Sequence, residues 1–204
     1  MTVLEIFTFD ATDAYIADPV GTFKDLKASH SGLEGLLSFH HGPQVENPSK
    51  GSCYVTWDKL DSFNKVVDEA RQQQRVEIFQ LAVKDNAKLQ LFDIGNADVS
   101  KISGAQMTEI TLINLKEGKT KAELEKLVKD IDDASRPIEA CHGIVLGTDV
   151  KEEGNFLVTM GWDSVEDHLS SVRNVPAYTA SAQVADSVIT LTGMHHAKLT
   201  AVGF

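Results

Sequence analysis

The chain has little cysteine, no long apolar run and no excess of positive charge, and each shortage removes a class of function. Its two cysteines, Cys53 and Cys141, form no Cys-x-x-Cys pair. They read as small core residues of a reduced chain rather than as a disulfide framework or a metal knuckle. No uninterrupted apolar stretch approaches the roughly 18 residues that a membrane span needs. The opening MTVLEIFTFDATDAY lacks the basic start and long apolar centre of a signal peptide and already alternates like a strand. Asn47-Pro48-Ser49 carries proline where a glycosylation sequon forbids it. A cytoplasmic protein is therefore expected. The net charge is -11 and is shared by both halves, so no basic stripe draws the chain to nucleic acid or to an anionic membrane. Neither Gly-x-Ser-x-Gly, His-Glu-x-x-His nor zinc-finger spacing occurs. Gly118-Lys119-Thr120 looks like the end of a P-loop, but the first glycine of that motif would fall on Ile113. No metal and no cofactor is expected.

What is present is an internal repeat. CYVTWDKLDSFNKVV (53–67) and FLVTMGWDSVEDHLSSV (156–172) share a Val-Thr strand, a Trp-Asp pair and an amphipathic stretch. Trp57 matches Trp162, Asp58 matches Asp163, Asp61 matches Glu166 and Phe63 matches His168. Upstream, Gly42 falls opposite Gly147 and LEIFTF (4–9) opposite TEITLI (108–113), in the same order. The hydrophobic fraction of 42% is enough for each copy to bury a core.

Periodicity gives each half the pattern β-α-β-β-α-β. In the first half the strands fall at 3–9, 35–41, 52–57 and 88–94. A helix at 20–28 starts on Asp18-Pro19, and a second runs from Asp58 to about Leu81. In the second half the strands fall at 108–115, 139–146, 155–161 and 195–202. Its helices are near 121–134 and 164–171, the latter resuming at 179–187 after a break at Pro176. Residues 1–96 thus form one ferredoxin-like repeat, 97–106 a linker and 107–204 the second repeat. Such a unit carries helices on one sheet face only. Val3, Phe7 and Phe9, with Thr111, Ile113 and Leu115, are expected on the bare faces, packed sheet to sheet as a pseudo-dimeric α/β barrel of class α+β. Self-association of that pseudo-dimer stays open.

The strand ending VTMGWDS, the helix containing VEDHL and the later NVPAY segment carry a family resemblance. The chain resembles the dimeric α+β barrel superfamily, in its antibiotic-biosynthesis-monooxygenase and stress-responsive A/B-barrel branches, over nearly its whole length and twice. Haem-degrading members place a second Trp and a His along the helix after the strand-end Trp. Here those positions hold Val66 and Val76 in one half, and Ser171 and Ser181 in the other, which argues against haem degradation. Plant-type polyketide cyclases carry His-Pro-Ala-His and a first-strand His. Here Val175-Pro176-Ala177-Tyr178 matches the run, and Glu109, with Glu5 at the repeat-equivalent place, replaces the strand His. The resemblance implies a barrel pocket for a small hydrophobic or aromatic, polyketide-like molecule and chemistry of the cofactor-independent monooxygenase, cyclase or lyase type. The alternative is a non-catalytic stress-responsive or ligand-binding barrel, including a haem-binding one.

Several residues are candidates for the site. Glu5 and Glu109 lie in apolar strands, where an unpaired carboxylate is costly; the plainer reading is a strand end, solvated or paired with Lys. Tyr178 either holds a ligand oxygen or plugs the barrel mouth. The pairs His40-His41 and His195-His196 alternate in strands, so at most one of each faces inward. Glu109, Tyr178 and His196 are the expected catalytic set, with Glu5, His40, His142 and Trp162 binding ligand. His168 reads as a residue of packing or helix-to-strand bonding. The second half is expected to hold the better-formed pocket, because Tyr178 has only Gln73 as its repeat counterpart.

Overall fold

The computed structural model describes residues 1–30, 32–68 and 72–203. The chain divides into two compact units: Met1–Asn96 with Ala197–Phe204, and Ala97–His196. In unit 1 the order is β1 (Val3–Ala11), α1 (Asp13–Ala17), α2 (Pro19–Thr22), α3 (Leu26–His30), β2 (Leu36–Pro43), β3 (Lys50–Trp57), α4 (Leu60–Asp68), α5 (Gln72–Ala82) and β4 (Val83–Asp93). Unit 2 follows with α6 (Ser100–Ser103), β5 (Met107–Leu115), α7 (Lys121–Ser135), β6 (Cys141–Asp149), β7 (Asn155–Trp162), α8 (Val165–Asn174), α9 (Pro176–Val188) and β8 (Ile189–Ala197). The last strand, β9 (Thr200–Ala201), pairs antiparallel with β2 and so extends the sheet of unit 1.

Within unit 1 the strands lie in the order β4-β1-β3-β2, and within unit 2 in the order β8-β5-β7-β6. Both are the ferredoxin-like arrangement that a β-α-β-β-α-β chain adopts, so the fold is α+β with two such repeats. No helix among the described residues is long and apolar enough to cross a membrane.

Local chemistry explains where the elements start and stop. Thr120 caps α7 by accepting from the Glu123 amide while Glu123 reaches back to the Thr120 amide, a reciprocal capping box. Ser164 caps α8 through the Asp167 amide, and Pro176 opens α9 just after α8 ends. The expected helix at 20–28 is instead three short pieces. Thr12 caps α1 and Asp18 caps α2, and a Cβ on Gly21 would lie 2.0 Å from the Asp18 carboxylate. The cap therefore requires glycine inside the segment, and glycine shortens the helix. The expected helix from Asp58 to Leu81 is α4 and α5, and residues 69–71 lie outside the described residues. The expected strand at 195–202 is β8, which begins at Ile189, followed by the separate β9. The expected linker contains α6.

The faces of the first strands differ from expectation. Phe9 packs edge-on to Tyr15 of α1 and Phe7 edge-on to Phe79 of α5, with centroids 5.3 and 5.5 Å apart. Ile113 packs with Leu124 and Val128 of α7. These side chains lie beneath the helices rather than on a bare sheet face. Leu4, Ile6 and Ile110, on the alternate face, are equally buried. When both faces of a strand are apolar, a period of two cannot say which one the helices cover.

Candidate functional site

Glu5 shares its face with Phe7, so it too points beneath the helices. Its register partner on β3 is Val55, and Trp57 lies two residues further along that strand. This diagonal spacing lets a long side chain reach across, and the Trp57 indole N–H donates to Glu5 Oε2 at 2.8 Å. The same pair recurs in unit 2. Glu109 is in register with Met160, two residues before Trp162, and the Trp162 indole donates to Glu109 Oε2 at 3.1 Å. The two halves diverge beyond this shared pair.

In unit 1 a cavity of about 350 Å³ lies between sheet and helices. Its walls are Phe7 and Phe39 from the sheet, Phe63 and Val66 from α4, and Val76 and Phe79 from α5, closed by Val83 and Leu89 of β4. The polar groups in this lining are those of Glu5, His30, Arg75 and Gln80. Val76 and Leu89 are 41% and 42% exposed, so the cavity reaches the surface there. Burial pushes the Glu5 carboxyl up to about 7, only partly offset by the Trp57 hydrogen bond. His30 is buried at the end of α3, its Nδ1 3.1 Å from the Leu26 carbonyl and 2.8 Å from Ser29 Oγ. Burial first, with a lesser contribution from the Arg75 charge and a partial offset from the Leu26 bond, lowers its pKa to about 4. It is therefore neutral at pH 7. Arg75 donates to the Val66 carbonyl, tying α5 to α4 beside the cavity.

In unit 2 the corresponding positions carry a buried polar cluster. His168 of α8 occupies the repeat position of Phe63 and stacks on Trp162, with centroids 5.0 Å apart. Its Nε2 lies 3.6 Å from Glu109 Oε2, and its Nδ1 lies 2.9 Å from His196 Nε2 on β8. Thr111 donates to the other Glu109 oxygen at 2.8 Å. Glu109, His168 and His196 are all buried. Tyr178 packs edge-on against Trp162, and its hydroxyl donates to Met160 Sδ at 3.5 Å. Burial first, then the Glu109 charge, push the Tyr178 phenol well above its ordinary value, so it stays protonated.

The residues singled out in the sequence are thus divided. Glu109, Trp162, Tyr178 and His196 meet in the buried cluster of unit 2. Glu5 alone of the set lines the cavity. His40 does not: Phe39 and His41 point beneath the helices, and His40 lies on the other face of β2, its Nδ1 buried without a hydrogen-bond partner. Its neighbour His41 packs on Phe23, 4.7 Å between centroids, with Nδ1 3.1 Å from the Tyr15 hydroxyl. His142 is half-buried, its Nε2 2.7 Å from Asp163 Oδ1, apart from the Glu109 cluster. The cavity itself lies in the first half, away from Tyr178, against the expectation of a better pocket in the second. Sequence reasoning missed His30, Arg75 and Phe79; it read His168 as packing or helix-to-strand bonding, and its contacts from α8 to Glu109 on β5 and His196 on β8 are of that kind. The available signal was the pairing of Glu with the strand-end Trp at matching repeat positions.

No protein-family model and no curated protein matches the sequence. Solved structures match nearly its whole length. A "putative monooxygenase" of Fusobacterium nucleatum aligns over 99% of this chain and 93% of its own, at TM-score 0.70 and 12% identity. An anthrone oxidase-like protein aligns over 98% and 90%, at TM-score 0.67 and 13% identity. What these structures share with this chain is the fold, two α+β repeats in tandem. A haem-binding protein of Thermus thermophilus matches at TM-score 0.60 and 12% identity, over 97% of this chain and 90% of its own. At such identities the likeness is one of fold, and function rests on the site.

Proposed function

We propose that the unit 1 cavity binds a small hydrophobic or aromatic molecule bearing an acidic O–H or C–H, and that Glu5 removes that proton. The supporting observation is a carboxyl raised to about 7 in the wall of an apolar cavity. Such a group is close to half ionised at neutral pH, and once it takes a proton it holds it far better than a free Glu. Phenols, with pKa values near 10, and activated methylenes are matched substrates. The aromatic walls supply most of the binding, and the Trp57 N–H holds the carboxylate in one orientation.

Removing the proton leaves a phenolate or carbanion, the species from which cofactor-independent oxygenation or cyclisation starts. With dioxygen as co-reactant, an activated CH₂ becomes C=O; one oxygen atom is retained and the other leaves as water. Glu5 returns the proton it took, so the base is regenerated. A carrier of the same molecules without turnover is the competing reading, and one experiment separates the two. Oxygen uptake with an anthrone-type substrate should rise with pH through about 7 and fall about 10²- to 10⁴-fold in Glu5→Gln. Quenching of Trp57 fluorescence should show that the variant still binds. Turnover that survives Glu5→Gln ends the catalytic reading, and binding without turnover in the unaltered protein establishes the carrier.

A further inference from the structure

Unit 2 carries a group of side chains that the unit 1 cavity does not use. Glu109, His168 and His196 come from β5, α8 and β8, far apart in sequence, and each can offer one ligand atom with all three atoms within 4.8 Å of one another. We propose that this cluster is a binding site for one divalent first-row transition cation per chain, held by two imidazoles and one carboxylate.

Geometry supports this first. Oxygen and nitrogen ligands sit about 2.0–2.2 Å from such a cation, which places neighbouring donors roughly 3.0–3.4 Å apart. Two separations in the cluster are close to that: 2.9 Å between His168 Nδ1 and His196 Nε2, and 3.6 Å between His168 Nε2 and Glu109 Oε2. The two distances use different nitrogens of His168, so whichever one ligates, the other partner closes in from within the 4.8 Å that spans the three ligand atoms. The second argument is orientation. A ligating carboxylate needs its free oxygen fixed by a neighbour, and Thr111 donates to Glu109 Oε1 while Oε2 faces His168. Trp162 holds the carboxylate from one side with its N–H and the His168 ring from the other by stacking.

The third argument is electrostatic. A carboxylate at the end of a line of two imidazoles, all three buried, is a charge that a low-dielectric interior tolerates only when neutralised. A divalent cation does so, and binding to imidazole and carboxylate ligands is coupled to proton release. Mixed imidazole and carboxylate donors suit Zn²⁺, Fe²⁺, Co²⁺ or Ni²⁺ and not Ca²⁺ or Mg²⁺. Unit 1 is a built-in control. It has the Glu5 and Trp57 pair, but Phe63 stands where His168 would be, so it cannot complete the set.

The test is titration of the intact protein with Co²⁺, read by its visible d–d absorption, with a parallel sample refolded in Co²⁺ because the cluster is buried. One equivalent with a band of low-coordinate Co²⁺, displaced by Zn²⁺ and accompanied by proton release, is the expected result. His196→Asn and Glu109→Gln should abolish the band. Thr111→Val, which keeps all three ligands, should weaken affinity about tenfold. His142→Asn should change nothing, since its partner is Asp163. Absence of the band in both native and refolded protein overturns the proposal. So does a band that persists in His196→Asn or vanishes in His142→Asn.

Discussion

The two units place a tryptophan and a glutamate in the same relation and then use the arrangement differently. In unit 1 the neighbour is Phe63, 6.0 Å from Trp57 and nearly perpendicular to it, and an apolar cavity stays open beside Glu5. In unit 2 the neighbour is His168, which lies flat on Trp162 and engages both Glu109 and His196. One exchange on the helix after the strand-end Trp separates a carboxyl facing a cavity from one held in a polar network. A duplicated scaffold keeps its carboxylate for geometric reasons, because the diagonal position opposite the Trp is filled in both copies. What the carboxylate can do is set by the side chain above it.

The strongest way to break this contrast is to give unit 2 the residue of unit 1. His168→Phe leaves Glu109 buried without its imidazole and removes one hydrogen-bond partner of His196. A loss of about 3–5 kcal/mol is expected, read as a fall in the urea midpoint. An unchanged midpoint would show that the network is not coupled as the distances imply.

The next effect concerns Glu5 and depends on pH. Its folded pKa of about 7 lies above the model-peptide value of 4.5. Between those values the folded chain holds a proton that the unfolded chain has released, so this group's contribution to stability falls as pH rises through the window. Glu5→Gln removes the fall. Relative to the unaltered protein the variant should gain about 1–3 kcal/mol from below pH 4.5 to above pH 7, less if water in the cavity screens the charge. Thermal melts across that range provide the check, and a difference that does not vary with pH would remove Glu5 from the titrating groups.

The smallest effect compares the first helical segments. Unit 2 has α7, fifteen residues with a reciprocal cap, where unit 1 has the short α1, α2 and α3. Thr120→Ala should cost about 1 kcal/mol, visible as a modest shift in melting temperature.

Much of this architecture is legible in the sequence, because its signals are local. The Trp-Asp dipeptides fix the ends of β3 and β7, Pro176 splits the last helical stretch, and Thr120 with Glu123 marks the start of α7. The site is less legible. Whether Glu5 faces helix or open sheet depends on which of two apolar faces the helices choose, and Leu4 and Ile6 are as buried as Phe9. That His168 joins Glu109 and His196 depends on three elements converging, for which the spacing 109, 168 and 196 gives no hint. That a cavity opens beside Glu5 depends on how α4 and α5 pack over the sheet, which no local spacing records.

Residues 197–203 have a consequence for how the chain is made. They run along β2, where the Val202 amide donates to the Phe39 carbonyl at 2.8 Å, and they pass so close to Gly42 that a Cβ there would lie 1.9 Å from the Lys198 carbonyl oxygen. Unit 1 is therefore finished by a segment encoded after all of unit 2. At about 5–20 residues per second, the ribosome needs roughly 5–20 s to make the intervening hundred residues. Throughout that interval the outer backbone of β2 has none of its final partners, and the nascent chain carries an exposed strand margin open to pairing with other chains.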